Sequence, residues 1–369
     1  MRVFFKILLK LYSTLVNKIK YKFDIPFDIE YINFPITYSC NARCTMCDIW
    51  KINKEDKSLI KKELSIQEII NFLDQNKESL KKLKNIGITG GEPTLKKGLP
   101  ELFRYLSVNF PNTGVGLQTH GLFPKTQLPI LEELYSIYPS MGLAVSLDGG
   151  EEIHEKVRGV KGAYQRAITT IKGAKQIGIK EITVGLTISK ENIVDIPKVR
   201  AVCQELECEF SCFLAEAGDY FSNSNNENLG FNDAEKQAVV SALESFKYHY
   251  YMDNTRLQLL NKRLREINCY SGQSSIVLDP YGNIKPCLIL DEVFGNIKTA
   301  TLKEIFASVQ SKRIELKKCK KCFLQCEVGT SVLMDFTDLI KWFLFHCEDR
   351  TGFLRTYLTK YNKKLYKSM

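Results

Sequence analysis

Cys40, Cys44 and Cys47 are the residues of this chain whose type and spacing point most directly to chemistry. Three and then two residues separate them, so their thiolates lie on one short loop and can bind a single inorganic centre. Three ligands are one fewer than a closed tetrahedral site needs, and the open position leaves a metal available for chemistry. The spacing alone does not choose between zinc and an iron–sulfur cluster, and three buried thiols without a metal are a further alternative.

A glycine-rich turn favours the iron–sulfur cluster. Residues 83–93 predict a strand that stops at two glycines, a glutamate and a proline. The cysteine spacing and this turn together resemble the radical S-adenosylmethionine (radical SAM) superfamily. The resemblance implies that the three cysteines bind a [4Fe-4S] cluster, and that the turn at Gly90, Gly91 and Glu92 receives the methionine end of S-adenosylmethionine. One residue departs from the family pattern, because Met46 stands where relatives usually have an aromatic residue beside the last cysteine.

Length and composition are those of a large globular protein. The chain has 369 residues, of which 44% are hydrophobic and twelve are cysteines. It is not a small, core-poor secreted module, so the clustered cysteines indicate metal binding in a reducing cytoplasm rather than disulfides. No run of about 18 apolar residues predicts a membrane span. The basic, apolar start lacks the small-residue cleavage site of a signal peptide.

Six predicted strands alternate with predicted helices between residues 31 and 218. One of the helices begins with a capping box formed by Ser65 and Glu68. The alternation predicts a parallel sheet that curves around a site at the carboxyl ends of its strands. The family resemblance implies a partial (β/α)6 barrel. The predicted strands are the run before Cys40, the run before Gly90, Gly114–Thr119, Gly142–Leu147, Glu181–Ile188 and Glu209–Leu214.

Polar residues follow several of these strands, where such a site would lie. Residues 118–121 end the third strand and resemble the Thr-Asn-Gly turn of the family, with His120 in place of the asparagine. Residues 146–168 resemble the subfamily that carries an auxiliary cluster, and this implies that Ser146 and Arg158 bind the carboxylate or the ribose of the cofactor. The alternative is a turn cap and a surface arginine. The cofactor contacts that the resemblance implies are Met46, Gly90, Gly91, Glu92, Thr119, Ser146 and Arg158.

A second group of cysteines follows a polar segment, residues 219–230, whose composition is typical of a linker. The predicted strands Ser275–Leu278 and Ile284–Leu290 form a hairpin in this region. The layout resembles the SPASM/Twitch domain with one cysteine of the full SPASM pattern missing, which implies one auxiliary [4Fe-4S] cluster instead of two. Its ligands would be Cys269, Cys287 and two of Cys319, Cys322 and Cys326. We interpret the remaining cysteines as buried thiols, with Cys347 as an alternative ligand; they are Cys203, Cys208, Cys212 and Cys347.

Basic residues are concentrated at the two ends of the chain. Residues 1–22 and 350–369 each contain six lysines or arginines and no acid, so they account for more than the whole net charge of +10. The slightly acidic remainder argues against nucleic-acid binding. Residues 3–20 predict an amphipathic helix, whose apolar stripe would lie either on the protein core or on an anionic membrane. We expect reversible membrane association, which would bring the protein to a lipid-linked or envelope-precursor substrate.

The predicted fold class is α/β, with a partial (β/α)6 barrel, a small auxiliary-cluster domain and amphipathic terminal helices. The predicted location is the cytoplasm, with peripheral contact with a membrane. We expect five segments: a basic N-terminal extension (1–30), the radical SAM barrel (31–218), a linker with bridging helices (219–268), an auxiliary iron–sulfur domain (269–330) and a basic helical tail (331–369).

The predicted function is that of a radical SAM enzyme. The resemblance implies that S-adenosylmethionine is cleaved reductively and that the 5′-deoxyadenosyl radical abstracts hydrogen from a small-molecule or lipid-linked substrate. A reducing partner such as flavodoxin or ferredoxin would supply the electron. One alternative is a peptide-modifying enzyme, although no leader-binding domain is visible. The other is a non-catalytic electron carrier, and the intact turn at Gly90 and the presence of Arg158 argue against it. No catalytic side chain is assigned, and Glu216 and Asp219 are weak candidates for a general base.

Overall fold

The computed structural model describes residues 2–226, 229–261, 267–320, 322 and 324–354, and of residues 2–8, 325 and 326 it describes the backbone alone. The chain divides into two compact units. The sheet unit contains residues 26–230 and 270–322, and the helical unit contains residues 1–25, 231–269 and 323–369. This division differs from the five predicted segments, because the N-terminal extension, the bridging helices and the C-terminal helices group together.

Nine strands form one sheet in the described part of the sheet unit. They are β1 (Tyr31–Pro35), β2 (Asn85–Thr89), β3 (Gly114–Thr119), β4 (Gly142–Ser146), β5 (Glu181–Ile188), β6 (Glu209–Leu214), β7 (Ser275–Leu278), β8 (Asn283–Lys285) and β9 (Gly295–Asn296). Their order is β6-β5-β4-β3-β2-β1-β7-β8-β9, with β1 to β6 parallel. The sheet is open at both edges, so the predicted partial barrel of six alternating strands is confirmed.

Helices connect the parallel strands as predicted. In α7 (Ala163–Ile177), flanking glycines with left-handed φ angles of 74° and 100° at Gly162 and Gly178 set both ends of the helix. The capping box of Ser65 and Glu68 is present at the start of α3 (Ile66–Gln75). The helices of the sheet unit are α2 (Ile49–Glu55), α3 (Ile66–Gln75), α4 (Leu99–Asn109), α5 (Pro124–Ile137), α6 (Glu151–Arg158), α7 (Ala163–Ile177), α8 (Ile196–Glu205), α11 (Leu302–Ser308) and α12 (Gln310–Leu316); those of the helical unit are α1 (Arg2–Lys22), α9 (Asp233–Leu243), α10 (Tyr250–Leu259), α13 (Gln325–Met334) and α14 (Thr337–Phe345).

The first strand lies earlier in the chain than predicted. It was expected in the run that leads directly into Cys40, but β1 ends at Pro35. After Pro35 the backbone turns towards the glycine-rich turn, where the amide of Gly91 donates to the carbonyl of Thr37 at 2.7 Å. The amide of Glu92 donates to the carbonyl of Ser39 at 2.8 Å in the same way. Residues 36–39 therefore approach the loop as an irregular segment rather than as a strand.

The segment with the second cysteine group continues the sheet of the barrel. Strand β7 pairs in parallel with β1, and β8 returns antiparallel to β7. The predicted hairpin is present, but its second strand ends at Lys285, well short of Leu290. Pro286 has no N–H to donate to a neighbouring strand, which is consistent with this early end.

The helical unit has its own core around Trp342, whose indole donates to the buried carboxylate of Asp253 at 2.8 Å. The bridging helices expected within residues 219–268 are α9, which ends at Leu243, and α10, which begins at Tyr250. Residues 262–266 of that segment lie outside the described residues. Among the described helices, none is long and apolar enough to cross a membrane.

Candidate functional site

The three cysteines of the predicted cluster lie on one loop, residues 39–48, which we call the cysteine loop. Burial raises the pKa of the Cys40 thiol to about 12, with a further contribution from Cys44. Burial also raises the pKa of Cys47, and the neighbouring Cys44 and Cys40 raise it further. The three thiols therefore lie close enough to affect one another, and forming their thiolates requires a compensating positive charge.

A buried carboxylate holds the chain that leads into the cysteine loop. Glu63 accepts hydrogen bonds from the hydroxyl of Thr37 and the backbone amide of Tyr38, both at 2.8 Å. The side-chain amide of Asn53 donates to Glu63 at 2.9 Å, and the ammonium of Lys96 lies 3.4 Å from it. Because the carboxylate is both hydrogen-bonded and paired with a cation, it can remain charged inside the protein. This network fixes the N-terminal side of the loop.

The glycine-rich turn approaches the cysteine loop so closely that side chains would not fit. A Cβ at Gly91 would lie 2.4 Å from the carbonyl oxygen of Ser39 and 2.9 Å from the Cβ of Cys40. Gly90 has a φ of 147°, which favours glycine, and a Cβ there would lie 2.4 Å from the carbonyl oxygen of Thr37. The two glycines are therefore required for the turn to pack on the loop.

Glu92 faces the protein interior. Its carboxylate accepts hydrogen bonds from the backbone amide and hydroxyl of Thr94, the hydroxyl of Thr119 and the backbone amide of His120. The residue is fully buried. Its side chain thus joins the ends of β2 and β3, and a direct contact between this carboxylate and the cofactor stays a prediction.

His120, which stands where relatives have asparagine, connects the end of β3 to the cysteine loop. Its Nε2 lies 2.7 Å from Oδ1 of Asn41, and its Nδ1 accepts from the amide of Leu122 at 3.0 Å. Because Nδ1 accepts, we assign the proton of the neutral ring to Nε2, which donates to Asn41. Burial lowers the pKa of His120, which favours this neutral form.

Arg158 lies beside the cysteine loop and not on the surface. Its Nε is 2.5 Å from the buried carboxylate of Asp148, and its Nη1 donates to Sγ of Cys44 at 3.5 Å. Burial alone would lower the pKa of Arg158, but Asp148 and Cys44 raise it overall. The alternative of a surface arginine is wrong, since only 9% of the residue is exposed. The guanidinium supplies positive charge next to one of the three thiols.

The end of α6 also holds the backbone of the cysteine loop. The amides of Arg43 and Thr45 donate to the carbonyls of Arg158 and Val157, both at 2.9 Å. These carbonyls belong to the last turn of α6, which has no partners for them within the helix. The hydroxyl of Thr45 donates to Glu191 at 2.8 Å.

The other predicted cofactor contacts lie at the same edge of the sheet as the cysteine loop. Thr119 is the last residue of β3, Ser146 is the last residue of β4, and Met46 is part of the loop itself. All three are buried. Their roles towards the cofactor stay predictions.

The segment predicted as a linker is part of the site. Residues 218–226, which we call the strap, cross the C-terminal half of the cysteine loop. The side-chain amide of buried Asn223 donates to the carbonyl of Met46 at 2.9 Å, and that of Asn226 donates to the carbonyl of Thr45 at 2.9 Å. The amide of Asp48 donates to the carbonyl of Phe221 at 3.0 Å. The sequence alone does not predict these contacts, because an asparagine-rich composition is typical of a solvent-exposed loop.

The strap also contacts the turn and the segment after Cys287. The hydroxyl of Tyr220 donates to the carbonyl of Gly90 at 2.9 Å. The amides of Asp219 and Tyr220 donate to the carbonyls of Ile289 and Leu288, each at 3.2 Å. Asp219 forms an ion pair with Lys285, which makes it a poor general base. Glu216 remains a candidate, since burial raises its pKa.

The cysteines of the predicted auxiliary cluster are distributed over both compact units. Cys269 and Cys287 are buried, and Cys319 and Cys322 are half-buried. The side chain of Cys326 lies outside the described part of the chain. Cys347 is buried in the helical unit and contacts the carbonyl of Lys247 at 3.7 Å, as expected of a buried thiol. The remaining group comprises Cys203 and Cys212, both buried, and half-buried Cys208.

The residues of the cysteine loop fit an iron–sulfur cluster. Within the described residues, no three His, Cys, Asp or Glu side chains are arranged to hold one metal ion. A four-iron cluster needs a different arrangement, because each thiolate binds its own iron. Three half-buried thiols from one loop, with an arginine beside Cys44, supply soft ligands and partial charge compensation, which suits such a cluster better than a hard cation.

Comparisons with known proteins agree with this chemistry. Residues 34–201 match the radical SAM superfamily, and residues 269–327 match the SPASM iron–sulfur cluster-binding domain. Fe-coproporphyrin III synthase of Methanosarcina barkeri is 31% identical over 57% of this chain and 49% of its own length. The antilisterial bacteriocin subtilosin biosynthesis protein AlbA of Bacillus subtilis is 25% identical over 75% of this chain and 59% of its own length. The chain therefore spans only about half to three-fifths of these curated relatives.

The fold is also that of solved structures. The crystal structure of Streptococcus suis SuiB bound to S-adenosylmethionine superposes with a TM-score of 0.57 and 16% identity, over 82% of this chain and 70% of that one. The two matched domain families imply S-adenosylmethionine and [4Fe-4S] clusters as cofactors. The open parallel sheet, the cysteine loop and the two matched families together identify a radical SAM domain in this chain, followed by a SPASM-type iron–sulfur domain.

Proposed function

We propose that the protein is an enzyme that cleaves S-adenosylmethionine reductively and removes a hydrogen atom from a substrate. The observation that carries this proposal is the cysteine loop, whose three half-buried thiols lie together beside the guanidinium of Arg158. When bound, the cluster and S-adenosylmethionine would supply an electron and a 5′-deoxyadenosyl radical. The protein's own part is to bind, orient and exclude water from these groups.

Cys40, Cys44 and Cys47 would hold the cluster in this proposal. The backbone of Gly90 and Gly91, together with Met46, Thr119 and Ser146, would form the surface that receives S-adenosylmethionine. Glu92 would support this surface from behind, because its carboxylate joins the ends of two strands. Arg158 would offset the negative charge of the thiolates while it keeps Asp148 paired.

We propose one auxiliary [4Fe-4S] cluster on Cys269, Cys287 and two of Cys319, Cys322 and Cys326. The match of residues 269–327 to the SPASM family supports it. The strap contacts the carbonyls of Leu288 and Ile289, directly after Cys287, as well as the cysteine loop. The strap would therefore link the segment that holds an auxiliary cluster at Cys287 to the loop that holds the active cluster.

Two substrate classes are consistent with the relatives. A peptide substrate is favoured by the bacteriocin biosynthesis protein of Bacillus subtilis among the relatives. A small-molecule or lipid-linked substrate is favoured by the porphyrin synthase among the relatives and by the basic ends of this chain. We also propose a cytoplasmic location, an electron donor such as flavodoxin or ferredoxin, and peripheral contact with an anionic membrane.

Anaerobic reconstitution followed by chromatography of 5′-deoxyadenosine tests the enzymatic proposal. We expect this product when the protein, S-adenosylmethionine and a reductant are combined, and none when the reductant is omitted. Protein that binds the expected iron but forms no 5′-deoxyadenosine under these conditions would favour the electron-carrier alternative.

Deuterium transfer separates the two substrate classes. Peptide and lipid fractions from cells grown in deuterium oxide would be added separately to the reduced enzyme. A hydrogen abstracted from the substrate becomes part of 5′-deoxyadenosine. The mass of 5′-deoxyadenosine should therefore increase only with the fraction that contains the substrate. Deuterium from the peptide fraction alone would support a peptide-modifying enzyme and contradict the lipid-linked alternative.

A further inference from the structure

Helix α1 packs in the helical unit through its polar side. The ammonium of Lys10 donates to the carbonyl of Leu333 at 2.7 Å, and the amide of Asn17 donates to the carbonyl of Met334 at 2.9 Å. Both carbonyls belong to the last turn of α13, where the helix offers them no partner. Thr14, on the same side of α1, is only 3% exposed. The polar side chains of α1 thus complete the end of another helix.

The apolar stripe of α1 consequently faces outward. Tyr12 is 67% exposed and Leu15 is 57% exposed, although both side chains are mostly apolar. This orientation contradicts the alternative in which the stripe covers the protein core. The large apolar side chains exposed on α1 and just after it include Leu9, Leu11, Tyr12, Leu15, Ile19, Phe23 and Ile25. A continuous exposed stripe of this kind marks an interaction surface.

The charge of the chain indicates what covers this stripe. Residues 1–22 carry six positive charges and no acid, and residues 350–369 carry the same number. Like charges therefore oppose a cover formed by the C-terminal residues or by the α1 of a second copy. An anionic partner fits both the charge and the stripe. Helices with an apolar face and many lysines lie in the plane of anionic bilayers.

We propose that the outward face of α1 binds an anionic lipid bilayer, with its apolar side chains inserted between the headgroups and with Lys20 and Lys22 near the lipid phosphates. The polar face then remains attached to α13, so the helix anchors the protein without leaving the fold. This inference deepens the membrane proposal above and names its contact surface. It does not depend on radical chemistry, because cofactor cleavage measured without vesicles tests that chemistry separately.

Sedimentation of the protein, residues 1–369, with vesicles tests the inference. One set of vesicles contains phosphatidylglycerol and phosphatidylcholine, and the other contains phosphatidylcholine alone. We expect binding to the anionic vesicles only, and weaker binding when salt rises from about 0.05 to about 0.5 M, because surface charges are then screened. The triple substitution Leu11→Gln, Leu15→Gln and Ile19→Gln should weaken binding at least about tenfold, because it removes the inserted apolar groups.

Two further variants keep the test specific. Ser13→Gln changes an exposed position outside the stripe and should bind like the wild type. The double substitution Lys20→Gln and Lys22→Gln should reduce both the binding and its salt dependence. If the triple variant fails to fold, this double variant is the test, and unchanged binding of it would then overturn the proposal. Equal binding to both vesicle types, or unchanged binding of the triple variant, would overturn the proposal. Absence of vesicle binding, with a dimer that the triple variant disrupts, would identify a second copy as the partner and overturn it as well.

Discussion

The two groups of cysteines differ in how the chain brings them together. Cys40, Cys44 and Cys47 lie within eight consecutive residues, and hydrogen bonds from several elements of the sheet unit hold their loop. The auxiliary group extends from Cys269 to Cys326, and its members belong to two compact units. A local ligand set can be read from spacing, whereas a dispersed set depends on tertiary structure. The predictions below test whether the two groups act separately.

Removing the local group should have the largest effect. Replacing Cys40, Cys44 and Cys47 together with alanine should lower iron from about eight to about four atoms per chain, because one four-iron cluster is lost. Formation of 5′-deoxyadenosine should be abolished. Iron analysis and chromatography measure the two outcomes.

A matched control for that variant replaces three of the four cysteines outside both groups, namely Cys203, Cys208 and Cys212. It should keep the iron of the wild type. A variant without the loop cysteines that still forms 5′-deoxyadenosine would contradict the assignment of the active cluster. About twelve irons in the wild type would indicate two auxiliary clusters instead of one.

Removing part of the dispersed group should separate iron content from cofactor cleavage. Replacing Cys319 and Cys322 with alanine should also lower iron to about four atoms, but S-adenosylmethionine should still be cleaved in the absence of substrate. Cys347→Ala is the control and should leave iron unchanged. Loss of iron in that control would make Cys347 a ligand and would show that the group is larger than predicted.

The strap offers a way to disturb the cysteine loop without touching a cysteine. In Asn223→Asp the side chain keeps its size, but an acceptor replaces the amide that donates to the carbonyl of Met46. A buried acceptor without a donor typically costs about 1–3 kcal/mol, so we expect cofactor cleavage to fall about tenfold while iron is retained. The change that S-adenosylmethionine causes in the electron paramagnetic resonance spectrum of the reduced cluster should weaken with it.

Asn225→Asp is a matched control for the strap, because it makes the same change at an exposed position two residues after Asn223. It should behave like the wild type in iron content, spectrum and cleavage. If Asn223→Asp lowers only the unfolding temperature and leaves the spectrum unchanged, the strap supports the fold but does not position the loop.

The smallest expected effect concerns His154, a buried residue of α6 that accepts from the amide of Asp148 at 2.9 Å. Burial lowers its pKa to about 4. The unfolded chain takes up a proton near pH 6.5 and the folded chain does not, so acidification below that pH favours unfolding. Between pH 7.5 and 5.5 this residue should remove about 1 kcal/mol of stability.

Urea unfolding at the two pH values measures this effect. In His154→Gln the titrating group is absent, while an amide oxygen is still available to accept from Asp148. The stability of this variant should therefore fall less on acidification than that of the wild type. An identical decrease in both proteins would show that His154 does not contribute.

Prediction from the sequence succeeded for the barrel and was incomplete for the supports of the site. The parallel strands were located because each lies in a short apolar run that ends at a turn, as β5 does with its alternating buried residues. The composition of the strap predicts a linker, because asparagine-rich segments are usually exposed and nothing local distinguishes Asn223 from Asn225. The sequence does not predict the orientation of α1, because a periodic pattern identifies an apolar face but not its partner.

The sequence by itself determined the cysteine loop, the glycine-rich turn and the alternation of strands and helices, because these depend on residues close together in the chain. Only the tertiary structure decided that Glu92 points into the protein, that Arg158 pairs with Asp148 beside Cys44, and that the strap crosses the loop. The physical reason is that buried polar groups must find hydrogen-bond partners, and those partners come from distant parts of the chain. The same requirement turns the polar side of α1 inward, towards the carbonyls at the end of α13, and leaves its apolar side exposed.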